Sequence, residues 1–463
     1  MITQKCSIPS DLASAAKRPT RFAYVGTGGR VRMFLDPVPL QFAADAEIVG
    51  LCDASLIRAT YHRDRLRTQL GYHDVPVYDA SSFGRMLEET RPDTVVVCTI
   101  DSEHDRYIAQ ALRAGCNVVT EKPMTTTAEK CAAIFRAVEE TGKSVRVAFN
   151  YRWGFGPTKV REVIGSGVIG RVRHVNMEYL LNTSHGADYF RRWHAQKRNS
   201  GGLLVHKSTH HFDLVNWWID AIPAQVVAYG ALMFYGRENA IARGDEALTR
   251  YKRYYGQAVD HDPFAYDYNR SMIRDTAMEQ AIYLGAEKET GYVRDQNVFR
   301  DDIDIEDTMA VLVRYRDGTI LNYSLNAYSP YEGYRVTFNG DRGRIEYTER
   351  HGAHLIGSDT IGEEHLGAGE PELRVFPHFH TPYQIEVPRR GGGHGGSDPL
   401  LQEQIFSHHP PVDPFQRAAG HEQGAASILV GIAANDSIAT GRPIELSSLL
   451  DLRPSARRLS ELR

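Results

Sequence analysis

Cysteine, long apolar runs and an excess of either charge are all scarce in these 463 residues. The five cysteines, at positions 6, 52, 98, 116 and 131, are odd in number and show no C-x-x-C spacing. That argues against a disulfide framework and for reduced core thiols in a cytoplasmic protein. No run of 18 apolar residues occurs and the first twenty residues lack a continuous apolar core, which disfavours a membrane span or a secretory signal. Residues 1–19 read as a loosely ordered leader. A net charge of -4, with short basic runs that lack interleaved aromatics, gives no reason to expect nucleic acid. Internal repeats are absent too. What remains is 42% apolar and 24% charged, ordinary globular composition in a chain long enough for two cores.

The most informative stretch is 21–31. An apolar strand at 22–25 stops at Gly26, and Gly26-Thr27-Gly28-Gly29-Arg30-Val31 fits the first two glycines of G-x-G-x-x-G, with Val31 at the third. The first glycine permits a tight turn, and the second lets backbone approach a pyrophosphate at the N-terminus of the next helix. Pro37 and Pro39 are expected to end or bend that helix early. A second strand at 47–52 ends in Asp53, near the spacing at which a carboxylate meets the adenosine ribose. A carboxylate there accepts from both ribose hydroxyls and repels a 2'-phosphate, so NAD is favoured over NADP; Arg58 close by blurs that preference. A helix N-cap is the bland alternative for Asp53.

Residues 20–150 alternate strands (75–78, 94–99, 117–120 and 145–148 after the first two) with helices (56–70, 82–90, 105–114 and 127–141). This predicts an α/β Rossmann domain with a parallel doubly wound sheet. The strand at 117–120 delivers Glu121-Lys122-Pro123 to the carboxyl edge, where ligands of such folds bind. From 151 to 445 the pattern becomes α+β with an open, mostly antiparallel sheet. It predicts helices at 157–166 and 208–218, strands at 171–181, 225–235, 307–315, 319–325, 334–339 and 344–347, and a loop between 181 and 208. A polar helical insertion rich in Tyr, Arg and Asp occupies 236–300, a glycine-rich loop 391–397 and a last helix with an apolar stripe 422–441. Residues 446–463 form a tail.

Four landmarks in order resemble the Gfo/Idh/MocA family (glucose-fructose oxidoreductase and inositol dehydrogenase). They are the glycine loop; Glu121-Lys122-Pro123; Asn150-Tyr151-Arg152 followed by Pro157; and Gly201-Gly202 followed by His210 and Asp213. The resemblance implies a Rossmann domain, then an open-faced domain for substrate binding and oligomerisation, with substrate in the cleft between. It places Gly26, Gly28, Gly29, Arg30, Asp53, Thr99, His104, Glu121 and Lys122 at the cofactor, although Ile100 stands where relatives carry proline. It also makes Lys122 the group reaching both cofactor and reacting hydroxyl, where an ammonium stabilises alkoxide charge, and His210 the proton acceptor. Many relatives carry aspartate in place of His206, so the site gains an acid–base group and loses a fixed negative charge. His206 and His210, four apart, are expected on one helix face. A shared zinc is the competing reading of that pair, without a clear third ligand; no metal is expected.

Arg152, Tyr189, Arg192, Trp193, His194 and His211 are the candidate substrate contacts, with a structural ion pair as the alternative for Arg152. Arg191, Arg192 and Trp193 suit a sugar face and an anionic substituent such as carboxylate or sulfonate.

Two functions follow from the resemblance. The first is a NAD-dependent oxidoreductase transferring hydride at a secondary ring hydroxyl of a sugar, with C3 expected. The second is a glycoside hydrolase that retains NAD through oxidation, elimination, hydration and reduction, for which His206, His211 and the insertion supply extra groups. A non-catalytic nucleotide sensor is a third class, disfavoured by Lys122 and His210. The expected partners are a small carbohydrate and further copies of the chain, as a dimer or tetramer.

Overall fold

The computed structural model describes residues 18–258, 262–268, 276–353, 371–388 and 393–462. The expected leader, but for residues 18 and 19, and positions 391–392 of the glycine-rich run lie outside the described residues. The chain begins with six strands, β1 (Thr20–Val25), β2 (Ala46–Asp53), β3 (Val77–Asp79), β4 (Thr94–Val97), β5 (Asn117–Thr120) and β6 (Val145–Val147). They pair in parallel in the order 6-5-4-1-2-3, the doubly wound arrangement whose carboxyl edge is the binding edge. β1 and β4 are short apolar runs, almost wholly buried, because helices cover both faces of the sheet. The helices start where a side chain satisfies an orphan backbone donor: Ser55 Oγ accepts from Arg58 N ahead of Leu56–Leu70, and Thr127 Oγ1 from Lys130 N ahead of Ala128–Thr141.

The second sheet has nine strands: β7 (Val172–Asn182), β8 (Pro223–Ala231), β9 (Thr308–Tyr315), β10 (Ile320–Ser329), β11 (Tyr331–Gly340), β12 (Gly343–Ala353), β13 (Glu372–Pro377), β14 (Tyr383–Ile385) and β16 (Ile444–Glu445), with β15 (Ala419–Gly420) lying elsewhere. Every pairing in it is antiparallel except β7 with β10. Along β9, Met309, Val311, Val313 and Tyr315 turn inward and the residues between them outward. The inward face is covered by Thr209–Ile219 and His421–Thr440. The outward face leaves Tyr229 77% and Leu312 50% exposed.

The structure departs from expectation in several places. The 181–208 loop is helical, with Thr183–Arg191 started by Asn182, whose carboxamide oxygen accepts from Ser184 N and His185 N. The strand expected at 225–235 stops at Ala231 because the Asp307 carboxylate takes the N–H groups of Met233, Phe234 and Tyr235, turning the chain into the insertion. The glycine-rich run opens a helix, Gly393–Phe406, that packs Leu401 and Phe406 against Phe22 and its neighbours in the first core. β15 then adds antiparallel to β6, so the second domain returns to complete the first. Residues 446–462 are no free tail: Leu452, Leu459 and Leu462 are buried, and Gln423 Nε2 donates to the Leu459 and Leu462 carbonyls. No described helix is long and apolar enough to cross a membrane.

His421–Thr440 is buried on nearly all sides rather than along one stripe, and it fixes the site from behind. A Cβ on Gly431 would lie 2.3 Å from the Leu204 carbonyl oxygen, in the turn that ends at His206. Gly431→Ala must therefore push that turn away. It is expected to cost about 1–3 kcal/mol, read as a lowered melting temperature; an unchanged melting curve would show that the two helices are not in register as described.

Candidate active site

The glycine loop is built for close backbone approach. Gly26 has φ +86, and a Cβ there would sit 2.4 Å from the Cys98 carbonyl carbon, so only glycine lets β1 turn beside β4. At Gly28 a Cβ would meet nothing within 4 Å, leaving open space over the backbone at the start of the Gly29–Val31 turn. The residues present thus fit a dinucleotide pyrophosphate. Val31, at the third-glycine position, is fully buried, and one long helix is replaced by Arg32–Leu35 and Pro37–Gln41, divided at Pro37.

Other cofactor-side residues are engaged with neighbouring loops. Asp53 is buried, and its carboxylate accepts from Thr27 N at 2.5 Å and Ser55 N at 2.8 Å, with Arg58 Nη1 at 3.5 Å. It ties the glycine loop to the end of β2. His104 is buried with Nδ1 2.8 Å from the Pro123 carbonyl and Nε2 3.2 Å from that of Thr99, so it pins the loops after β4 and β5 together. Arg30 Nε donates to Glu121 Oε1 at 2.6 Å, joining the glycine loop to the end of β5.

Three groups meet at the junction of the domains. Lys122, half-buried after β5, places Nζ 3.3 Å from His206 Nε2 and 3.0 Å from the His206 carbonyl oxygen. His206 Nδ1 lies 2.5 Å from Oδ2 of Asp101, which follows β4. Burial pushes the Asp101 carboxyl up, opposed by Lys122, and pulls the His206 imidazole down. Burial also lowers Lys122 to about 8, with the Asp101 and Glu121 carboxylates holding it from falling further. The arrangement that satisfies every atom has His206 Nδ1–H donating to Asp101 and Nε2 accepting from Lys122. No local sequence signal marks Asp101. It supplies a carboxyl group beside His206, where many relatives carry their aspartate.

His206 and His210 do not share a helix face. Leu203–His206 and Thr209–Ile219 are separate helices meeting at Lys207–Ser208, and both ring nitrogens of His206 are engaged. His210 stacks on the Tyr151 ring at 4.1 Å, and Tyr151 Oη accepts from Lys207 Nζ at 3.1 Å. Burial works against the Lys207 ammonium, but the Tyr151 and Tyr189 phenols and Glu332 raise it. Among the described residues no group of three His, Cys, Asp or Glu side chains is placed to hold a metal ion.

The substrate candidates divide. Arg192 and Trp193 remain partly exposed, with Trp193 stacked 3.6 Å over His194. Tyr189 and His194 are buried behind His206, ring centroids 5.5 and 4.2 Å away, and Tyr189 Oη bonds His185 Nε2 at 3.0 Å. His211 is fully buried, with Nδ1 2.7 Å from Tyr323 Oη and its ring on Tyr179, so it is a core residue. Arg152 is also fully buried: Nε and Nη2 hold both oxygens of Asp213 at 2.7 and 2.6 Å, and Nη1 donates to Gln423. The ion pair expected as its alternative is the one present.

The chain matches two family models, "Oxidoreductase family, NAD-binding Rossmann fold" over residues 20–149 and "Oxidoreductase family, C-terminal alpha/beta domain" over residues 161–446. It is 36% identical over 438 residues to the Bacillus subtilis protein YteT, named as an oxidoreductase, covering 91% of this chain and 96% of that one. To the D-glucoside 3-dehydrogenase of Escherichia coli it is 29% identical over 157 residues, 33% of this chain and 41% of that enzyme. The aldose-aldose oxidoreductase of Caulobacter crescentus, solved with glycerol, has the same fold at TM-score 0.57 and 17% identity, covering 92% of this chain and all of that one.

Replacing Arg152 by Met leaves the Asp213 carboxylate buried and unpaired. A loss of about 3–5 kcal/mol in chemical denaturation is expected, partly restored by adding Asp213→Leu. A single variant as stable as the parent would return Arg152 to the substrate candidates.

Proposed function

Because this chain belongs to the Gfo/Idh/MocA family of oxidoreductases, whose first domain is a NAD-binding Rossmann fold, we propose that it oxidises a secondary ring hydroxyl of a sugar or sugar derivative, at C3. The observation that carries the reading is the 3.3 Å contact between Lys122 Nζ, held by the cofactor domain, and His206 Nε2, held by the second domain. NAD, when bound, supplies the hydride acceptor. The chain's own residues handle the proton. The neutral Lys122 amine takes it from the hydroxyl, and its lowered pKa of about 8 makes that form available near neutrality. His206 Nε2 accepts a hydrogen bond from Lys122 Nζ, with Asp101 holding the ring in that tautomer, so the neutral imidazole orients the amine. His210, stacked on Tyr151 beside Lys207, adds a further imidazole to the second domain's side of the site. The D-glucoside 3-dehydrogenase relative supports C3 as the reacting position.

A second reading, redox-neutral glycoside cleavage with retained NAD, is favoured by one feature. The insertion closes on the cofactor domain: Glu289 Oε2 accepts from Ser55 Oγ at 2.5 Å and Ile57 N at 3.1 Å, and Arg58 Nε donates to the Ile282 carbonyl at 2.9 Å. A cofactor enclosed beside β2 suits a cycle that returns it unchanged. Glycoside cleaved without net change in nicotinamide absorbance, with solvent deuterium at C2, is the expected result of that reading. Full cleavage by protein stripped of NAD would reject it. The open sheet face around Tyr229, Leu312 and Ile320 supports assembly into a dimer or tetramer.

Lys122→Met is expected to bind NAD as the parent does and to lose about 10²–10⁴ in turnover. In the parent, sugar oxidation should rise with pH until Lys122 is deprotonated near 8 and then level off. The reverse reduction should fall over the same range, since it needs the ammonium. A flat profile, or a Met variant with parental turnover, would remove Lys122 from the reaction.

A further inference from the structure

One cluster of charge is left over by the proton chain. Asp188 faces three guanidiniums, with Arg191 Nη1 at 3.3 Å, Arg192 Nη1 at 3.2 Å and Arg294 Nη1 at 2.7 Å. Arg191 is further satisfied by the Phe264 carbonyl. Among the described residues Arg192 and Arg294 have no such further acceptor, the Nε of all three arginines is buried without a hydrogen-bond partner, and Asp188 is the one carboxylate that pairs with them. Arg294 comes from the insertion and is held flat over Tyr266, its guanidinium 4.4 Å from the ring centroid. Three cations on one carboxylate, with Arg294 buried and Arg192 half-buried, leave the local charge balance in need of an anion. Their position says which one. Arg192 lies near enough to Asp101 and His206 for its charge to act on both, so the surplus sits beside the reacting groups.

Trp193, next in sequence, has one face on His194 and also lines a groove of about 520 Å³ between the 193–199 segment and the insertion. Arg198, Asn199, Lys252, Tyr292 and Gln296 share the lining, which holds no carboxylate among the described residues. Aromatic faces and amides suit sugar rings, and the cations repel nothing on an acidic glycan.

We propose that Arg192 and Arg294 form a subsite for the carboxylate of a uronic acid, so that the substrate is an acidic carbohydrate whose remaining rings lie along Trp193 in this groove. The planar forks match a carboxylate bidentately. The proposal rests on the hydride-transfer reading for its substrate class, but its binding test does not.

The test titrates the NAD-loaded protein by calorimetry with methyl glucuronide and methyl galacturonide, with the matching neutral methyl glycosides, and with a methyl glucoside 6-sulfate. The expected result is that an acidic glycoside binds at least about tenfold more tightly than its neutral counterpart. Arg294→Gln and Arg192→Gln should each erase that difference between the acidic and the neutral glycosides. Asp188 keeps two arginines in each variant, and Lys252→Gln tests the groove without touching the cluster. A carboxylate subsite ranks the uronides above the sulfate ester; the reverse ranking would overturn the carboxylate assignment. Equal affinity for neutral and acidic sugars, a preference that survives both arginine variants, or no binding of either uronide would overturn the proposal. Tight uronide binding without oxidation would sink the hydride-transfer reading and leave the subsite standing, whereas oxidation of neutral sugars without acid preference does the opposite.

Discussion

Everything in the site depends on holding an ammonium, an imidazole and a carboxylate in one line across a domain boundary. Lys122 and Asp101 follow adjacent strands of the first sheet, and His206 ends a turn of the second domain. None of the three is well solvated, and an isolated buried charge costs several kcal/mol. The line is tolerable because each charge has a partner and each ring nitrogen a defined role. It also ties the domains together at the place where a substrate must fit. The supporting residues follow from that demand. Glu121 and Arg30 join the glycine loop to β5, His104 clamps the loops after β4 and β5, and Gly431 lets a buried helix approach the turn behind His206.

Buried charge elsewhere in the molecule is used differently. Arg152 and Asp213 are as buried as any group in the site, and each of the three guanidinium nitrogens already donates to a neighbour. The pair is fully enclosed, with no exposed edge to offer a ligand. Lys122 is half-buried and close to His206, and Arg192 keeps an unpartnered Nε. The contrast separates a structural pin from a group with capacity to spare, and it is a contrast of hydrogen-bond counts rather than of residue type.

Those counts explain what could be read in the chain beforehand. Strand and helix positions of the first domain were legible because apolar runs, capping residues and glycine turns are local signals, as at 46–53, 56–70 and 117–120. Lys122 was legible because a strand end fixes where its side chain must go. His211 and Arg152 misled because their type suits a site, while their fate was decided by Tyr323 and Asp213, distant in sequence. Asp101 had no local mark, since a single acid after a strand is ordinary; only His206, more than a hundred positions later, gives it meaning. The i, i+4 spacing of His206 and His210 failed because the helix breaks at Lys207–Ser208, where the Lys207 side chain reaches Tyr151 and Ser208 Oγ pairs with Tyr323.

The insertion was the least legible part and does the most joining. Its composition marked it only as polar and helical. In the structure Asp307 turns the chain into it, Glu289 carries it to Ser55 and Ile57 at the cofactor strand, and Arg294 brings it to Asp188 beside the reacting groups. Glu289 and Arg294 are five residues apart, so a short length of chain touches both the β2 end of the Rossmann sheet and the arginine cluster. Tyr268, Met278, Ile282 and Tyr283 form a small cluster of its own, while Tyr254, Phe264, Val298 and Phe299 join the main core. Its order therefore comes from apolar packing on the body of the protein as well as from the polar contacts at the two surfaces it bridges.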